Sequence, residues 1–170
     1  MAAATLDEIS IRTELRPGDL GTVIQLHGRL YSREYGYGLQ FETYVAQGLC
    51  EFMERRDARL DRVWLCEHGG RIVGFLLAMH RYEAAQLRYF LIEPEYRGIG
   101  LGTKLVGLFM EFIRERGYKK AYLWTTSELK TAAHLYTGVG FTLTEEKLSM
   151  TFGRPVVERR YDLERLPPEH

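Results

Sequence analysis

Apolar residues alternate with polar ones at Ile9, Ile11, Thr13 and Leu15, a period of two that predicts a strand closed by the Pro17-Gly18 turn. The period then changes. Asp19 is placed to cap a helix, and Leu20, Val23, Ile24, His27, Leu30 and Tyr31 recur at helical spacing until about Glu34, where Gly36 and Gly38 break the pattern. Phe41, Tyr44, Val45, Leu49, Phe52 and Met53 form the apolar face of a second helix. Strand-like runs at 63–67 and 72–80 flank His68-Gly69-Gly70, a hairpin signal, and 87–92 reads as a third adjacent strand. A long helix over 101–116 ends near Gly117, followed by a strand at 121–125 and a helix over about 127–138. Strands at 141–150 and 156–163 close the pattern, and the tail from Leu166 is expected to fray.

The order β α α β β β α β α β β predicts an α/β (α+β) architecture. It mixes hairpins with helical crossovers, so the sheet should be mixed, mostly antiparallel, with about seven strands flanked by about four helices. With 170 residues and an apolar fraction of 45%, one domain over 1–170 is expected, its core at about 9–163. The 23 basic and 23 acidic side chains cancel, which gives no reason to expect nucleic acid or an anionic membrane as partner. The first residues lack the basic and apolar regions of a signal peptide, and no run approaches a membrane-spanning length, so a cytoplasmic protein is expected. Cys50 and Cys66 sit in apolar surroundings without a CxxC spacing and read as buried structural thiols. His27, His68, His80 and His134 lie far apart in sequence, and no metal is expected.

Chemistry concentrates where the strand at 87–92 meets the helix at 101–116: Glu95-Tyr96-Arg97-Gly98-Ile99-Gly100-Leu101-Gly102-Thr103-Lys104. Glycines there let the backbone approach a ligand closely, so the unpaired N–H groups of the first helical turn can converge on an anion such as a pyrophosphate. A dinucleotide fingerprint would need a third glycine where Thr103 stands, and the Gly-Lys-Ser/Thr ending of a P-loop is missing.

Arg97-x-x-Gly100-x-Gly102 resembles instead the signature loop of the GNAT N-acetyltransferases, and the segment from His134 to Phe141 is similar to that family's helix ending in Leu-Tyr-x-x-x-Gly-Phe. The predicted element order is that of the same fold. A finer likeness joins His27-Gly28-x-Leu30-Tyr31-x-x-Glu34-Tyr35-Gly36, Leu123-Trp124-Thr125 and Ser149-x-x-Phe152-Gly153 to the acetyltransferase half of bacterial proteins that carry a MarR-type winged helix. The chain begins at the first strand, so DNA binding is not expected.

The resemblance implies acetyl-CoA as cosubstrate and a primary amine as acceptor. It places the pyrophosphate on Arg97, Gly98, Ile99, Gly100, Leu101, Gly102 and Thr103, and assigns the pantetheine arm and the thioester oxygen to backbone groups of Leu91 and Ile92. Tyr136 matches the family's general acid. Thr126 and Ser127 stand where many relatives place an asparagine, and hydroxyls replace a primary amide only in part. His27, Tyr31 and Glu34 share one face of the first helix, the acceptor wall of the family, and could bind or deprotonate the amine, with Glu34 the candidate base. His80 and Glu83 are further candidates, while Glu93 and Glu95 around Pro94 are expected to organise the turn. A homodimer through an exposed last strand is compatible with this pattern. The alternative function is a non-catalytic acyl-CoA sensor with the same fold.

Overall fold

The computed structural model describes residues 3–164 and residue 166; the remainder of the expected frayed tail, 167–170, lies outside the described residues. In chain order the elements are β1 (Ser10–Arg12), α1 (Asp19–Tyr35), α2 (Leu39–Arg55), β2 (Arg62–His68), β3 (Arg71–Arg81) and β4 (Ala84–Ile92). They continue as α3 (Leu101–Glu115), β5 (Lys120–Thr126), α4 (Lys130–Gly138), β6 (Thr142–Ser149) and β7 (Val156–Leu163), with short 3₁₀ turns at Leu6–Glu8 and Pro94–Tyr96. The seven strands form one sheet in the order β1-β2-β3-β4-β5-β7-β6. Every pairing is antiparallel except β4 with β5. The architecture is therefore the mixed one that the periodicity predicts.

Both faces of the sheet are covered, which is why its central strands read as continuous apolar runs. Along β2, Trp64 and Cys66 join the core under α3 and α4, whereas Val63 and Leu65 turn to the core under α1 and α2. The β2–β3 hairpin closes through Gly69 and Gly70, both left-handed at φ 55° and 76°, a backbone that the right-handed strand twist favours and that only glycine adopts freely.

Several boundaries differ from the pattern. The first strand pairs with β2 only from Ser10 to Arg12, because Arg12 then turns its guanidinium onto Asp19 at 2.7 Å. Asp19 is consequently not the cap. Gly18 holds that position, and the Asp19 carboxylate also accepts the Arg16 N–H at 2.6 Å. The fourth helix starts at Lys130 rather than Ser127, since the Ser127 N–H still donates to the Val157 carbonyl across the sheet at 2.9 Å. The last strand is not an edge: β7 lies between β5 and β6, and β1 and β6 are the outer strands of the sheet. Cys66 is buried, and burial pushes its thiol up to about 12, but Cys50 is exposed on α2, contrary to expectation. Among the described residues, no helix is long and apolar enough to cross a membrane.

Helix α3 is held to the sheet by its apolar stripe. Phe109, fully buried, meets the Trp64 indole edge-on with centroids 6.5 Å apart. Phe109→Ala should cost about 3–5 kcal/mol of folding stability, read as a lowered denaturation midpoint at unchanged m-value.

Candidate active site

The site originates in a parallel ladder that stops early. β4 and β5 pair only at Ala84–Lys120, Ala85–Ala121 and Gln86–Tyr122. Beyond Gln86 the strands part, and a cavity of about 540 Å³ passes between them, open to both faces of the sheet. β4 is also bent. Its register with β3 shifts so that Leu77 opposes Arg88 but Phe75 opposes Leu91, leaving two residues of β4 opposite Leu76 alone. Tyr89 takes the extra position with φ 57°, a left-handed conformation costing on the order of 1–3 kcal/mol for a side chain of this size. The tyrosine is seated from above: its hydroxyl lies where a Cβ on Gly48 of α2 would stand, 1.7 Å away, and the Arg88 guanidinium covers its ring at 4.6 Å.

On the α3 side the glycine loop leads directly into the first turn of the helix. Gly100 caps α3 in the left-handed region at φ 89°, and the first internal bond runs from the Lys104 N–H to the Gly100 carbonyl at 3.0 Å. Among the described residues, nothing accepts the N–H groups of Leu101, Gly102 and Thr103. Gly102 serves a different purpose from Gly100. Its backbone is ordinary, but an added Cβ would stand 2.9 Å from Leu135 Cδ1 of α4, so glycine here lets α4 approach. Leu101 is buried in the core and Ile99 packs against it. These two contribute backbone, whereas Gly98, Gly100, Gly102 and Thr103 line the cavity.

Arg97 lies at the mouth and ties the loop to two other elements. Its Nε donates to the Ile92 carbonyl at 3.1 Å, and its two Nη atoms grip the Glu34 carboxylate at 2.9 and 2.8 Å. That fork keeps the Glu34 carboxylate hydrogen-bonded to the loop, and Glu34 does not line the cavity. Leu91, Ile92 and Thr126 do line the cavity; Ser127 does not. Thr126 shares a sheet face with Glu158, its partner on β7, so its hydroxyl points to the α1–α2 side and meets Tyr37 Oη at 2.9 Å.

On that second side the walls are aromatic. Tyr31 stacks on Phe41 at 4.6 Å and lies 5.9 Å from the His27 ring. His27 is 2% exposed; its Nδ1 is 2.8 Å from the Val23 carbonyl and its Nε2 has no hydrogen-bond partner among the described residues. Desolvation draws the imidazole down to about 4, so it is neutral at pH 7. His80 is elsewhere, bonded to Tyr118 Oη at 2.8 Å, and Glu83 is exposed at a turn. Glu93 accepts from Arg71 at 3.4 Å, in keeping with a turn-organising role.

A roof over this side has no counterpart in the sequence reading. The β6–β7 loop folds onto the α1–α2 turn: the Gly38 N–H donates to the Phe152 carbonyl at 3.0 Å and Arg154 Nε to the Tyr35 carbonyl at 2.6 Å. Arg154 also pairs with Glu128, which accepts from Tyr37 Oη at 2.9 Å. The signal was present in Gly36-Tyr37-Gly38 and Phe152-Gly153-Arg154, two turn-forming aromatic segments, but nothing local says that they meet. Glu158 is the cavity carboxylate held least tightly, with Lys147 Nζ at 4.0 Å.

Tyr136 lines the cavity from α4, packed on Phe90 of β4 at 6.1 Å. It is 4% exposed, and burial pushes its phenol well above the ordinary value, so it stays protonated. Its hydroxyl has no hydrogen-bond partner among the described residues. No cluster of three His, Cys, Asp or Glu side chains among the described residues has metal-binding geometry.

A strand pair splayed beside a glycine-capped helix frames the cavity, and likeness to known proteins gives the family. The acetyltransferase (GNAT) family model matches residues 26–141, more than half of the chain, and the chain belongs to that family. An uncharacterized N-acetyltransferase of Methanocaldococcus jannaschii is 28% identical over 136 residues, 76% of this chain and 58% of that protein. One from Escherichia coli is 36% identical over 92 residues, 52% of this chain and 55% of that protein. The chain thus spans little more than half the length of these curated relatives. Among solved structures, an acetyltransferase from Streptococcus agalactiae superposes with a TM-score of 0.71 at 21% identity, covering 95% of this chain and all of that one. A spermidine N-acetyltransferase from Vibrio cholerae, in complex with CoA and spermine, gives 0.67 at 20% identity, covering 94% and 96%. These two share the fold.

Two expectations follow from this geometry. Gly100→Val should weaken CoA binding at least tenfold by calorimetry in a protein that still folds, because a β-branched residue resists the left-handed cap that aims the free amides. His27 should make stability pH-dependent. Its folded pKa lies below the unfolded one of 6.5, so the unfolded chain binds more protons between the two values, and stability, complete above about 6.5, falls as pH drops toward about 4. The fall in denaturation midpoint from pH 7 to 5 should shrink in His27→Leu; an equal fall in both proteins would remove His27 as its source.

Proposed function

We propose that the chain transfers an acetyl group from acetyl-CoA to a primary amine within a ternary complex. One observation carries the reading: a single cavity crosses the sheet from the free amides of α3 to a roofed aromatic chamber under α1 and α2, with an unpartnered phenol in its wall. The residues fit such a cosubstrate. Gly100, Leu101, Gly102 and Thr103 offer amides to a pyrophosphate, and the β4 edge left open beyond Gln86 offers backbone groups to an amide-rich arm.

When bound, acetyl-CoA supplies the activated acyl group as a thioester. The chain's part is to orient and to move protons. Backbone N–H at Leu91 or Ile92 serves as donor to the carbonyl oxygen that becomes negative as the amine adds. The amine nitrogen forms the new N–C bond, the C–S bond breaks, and the proton lost from nitrogen balances the one gained by sulfur. Tyr136 Oη, protonated and unengaged, donates to that sulfur. Glu34 is occupied by Arg97, so Glu158 is the carboxylate placed to accept the amine's proton, directly or through water.

The segments that resemble the acetyltransferase half of MarR-type fusion proteins are read here as acceptor-side segments, since His27, Tyr31, Tyr35, Trp124 and Phe152 all line the cavity. A second reading, a non-catalytic acyl-CoA sensor, draws on the clamped Glu34.

Incubation with acetyl-CoA and a broad amine panel, following thiol release, tests the reading. Turnover supports it, tight CoA binding without turnover for any amine favours the sensor, and failure to bind any acyl-CoA overturns both. Tyr136→Phe should fold normally and bind acetyl-CoA with nearly wild-type affinity, while the single-turnover rate drops by roughly 10²- to 10⁴-fold. An unchanged rate would return Tyr136 to the core.

A further inference from the structure

The chamber under α1 and α2 contains a cation that forms no ion pair among the described residues. Arg88 projects from β4 into the cavity wall; its Nη2 donates to Tyr44 Oη at 3.1 Å, and its guanidinium lies 5.5 and 4.6 Å from the ring centres of Tyr44 and Tyr89. Among the described residues, no carboxylate pairs with it. Glu51, the acidic group that senses its charge, is taken by Arg81 at 2.9 Å and by Arg55. The rings hold the guanidinium in place, an attraction of roughly 0.5–2 kcal/mol, but leave its charge and most of its five donors unspent.

A second donor stands beside it. Gln86, two residues earlier on the same strand face and 7% exposed, accepts from Arg81 Nε at 3.2 Å and Tyr122 Oη at 3.3 Å through Oε1. The arginine N–H can be met only by the amide oxygen, which fixes the amide's orientation. Its NH₂ group then faces the cavity, and no acceptor within the described chain meets it. A planar guanidinium and an amide NH₂ on one strand face are the complement of a carboxylate. The remaining walls, Tyr31, Phe41, Tyr44 and Phe152, suit a flat or bulky apolar body.

We propose, resting on the acetyltransferase reading above, that the acceptor is a small amino carboxylate with an aromatic or bulky apolar side chain, its carboxylate docked on Arg88 and Gln86. Other amine classes fit this chamber less well. A polyamine would bring a second ammonium against an unneutralised guanidinium. A protein N-terminus carries no carboxylate near its amine and would have to pass the roof formed by Phe152 and Arg154 over the α1–α2 turn.

The test uses free aromatic and branched amino acids, each beside its primary amide and its decarboxylated amine, with kcat/KM expressed per neutral amine. Wild-type protein should prefer the acid at least tenfold over both analogues. In Arg88→Gln that preference should fall by roughly 10- to 100-fold, mainly through KM for the acid, as expected for a lost charge-assisted contact, and Arg88→Lys should retain part of it. Equal use of acid and analogues by the wild type overturns the inference, whether or not Arg88→Gln folds. So does an acid preference that survives in Arg88→Gln, or a higher kcat/KM for polyamines or peptide N-termini. Transfer without carboxylate preference refutes this inference alone; binding of CoA with no transfer to any amine refutes the acetyltransferase reading and this inference with it.

Discussion

The pairing of β4 with β5 stops after three residues, and the rest of the molecule is organised around that stop. A strand in mid-sheet that loses its neighbour leaves backbone donors and acceptors inside the protein, where each needs a partner or water. Two carbonyls along the open stretch take side-chain donors: Phe90 from Tyr31 Oη at 3.5 Å and Ile92 from Arg97 Nε at 3.1 Å. The bulge at Tyr89 changes which way the following groups point, so the strand that leaves the ladder is also the strand that is bent. An edge of this kind in the middle of a sheet is a binding surface for an extended, amide-bearing chain.

Two charged clamps hold the opposite wall. Arg97 reaches Glu34 from the loop before α3, and Arg154 reaches the Tyr35 carbonyl and Glu128 from the β6–β7 loop. Both act on the last turn of α1, one from each side of the mouth. Arg97 is 45% exposed, and a pair so open to water adds at most about 1 kcal/mol to stability. Its value is positional. The same guanidinium touches β4, the glycine loop and α1, so a ligand that drew Arg97 toward a pyrophosphate would loosen Glu34 and with it the end of the acceptor wall.

Much of this was legible because it is written in local periods. Alternation and helical spacing gave the strands and helices in their correct order, and Gly100 could be read because a left-handed cap leaves few other choices. Gly102 was noticed for an incomplete reason: its partner Leu135 lies on another helix, and sequence spacing does not report contact between helices. The bulge at Tyr89 was hidden for the same kind of reason. It is a relation between β3 and β4, fixed by a seat on Gly48 of α2, and 87–92 taken alone reads as an ordinary strand. Spacing groups Glu34 with His27 and Tyr31, but it cannot show that Arg97, from another element, takes the Glu34 carboxylate and that Glu34 does not line the cavity. Asp19 misled because a cap and a salt-bridged first-turn carboxylate look alike in sequence. Edge strands are likewise a matter of topology, so β6, not the final strand, was left open.

What the fold gives up around the cavity is informative. His27 Nε2 and Tyr89 Oη are buried without partners, each at a cost on the order of 1–3 kcal/mol, and Tyr89 adds its backbone strain. A third orphan, Arg114 Nε on α3, stands outside the cavity wall, so the clustering is partial. A chain selected for stability alone would fill these positions with apolar side chains of similar volume. Their retention where β4 bends makes sense if the chamber must discriminate by polarity as well as shape. Ring faces attract an ammonium only by roughly 0.5–2 kcal/mol and the neutral imidazole adds no charge, so an ammonium entering the chamber loses more in hydration than it gains unless it reaches Glu158. On the proposed function this favours the neutral amine that acyl transfer requires. On the proposed acceptor, that preference and the docking of its carboxylate would belong to different residues, which would let one cavity select for reactivity and identity separately.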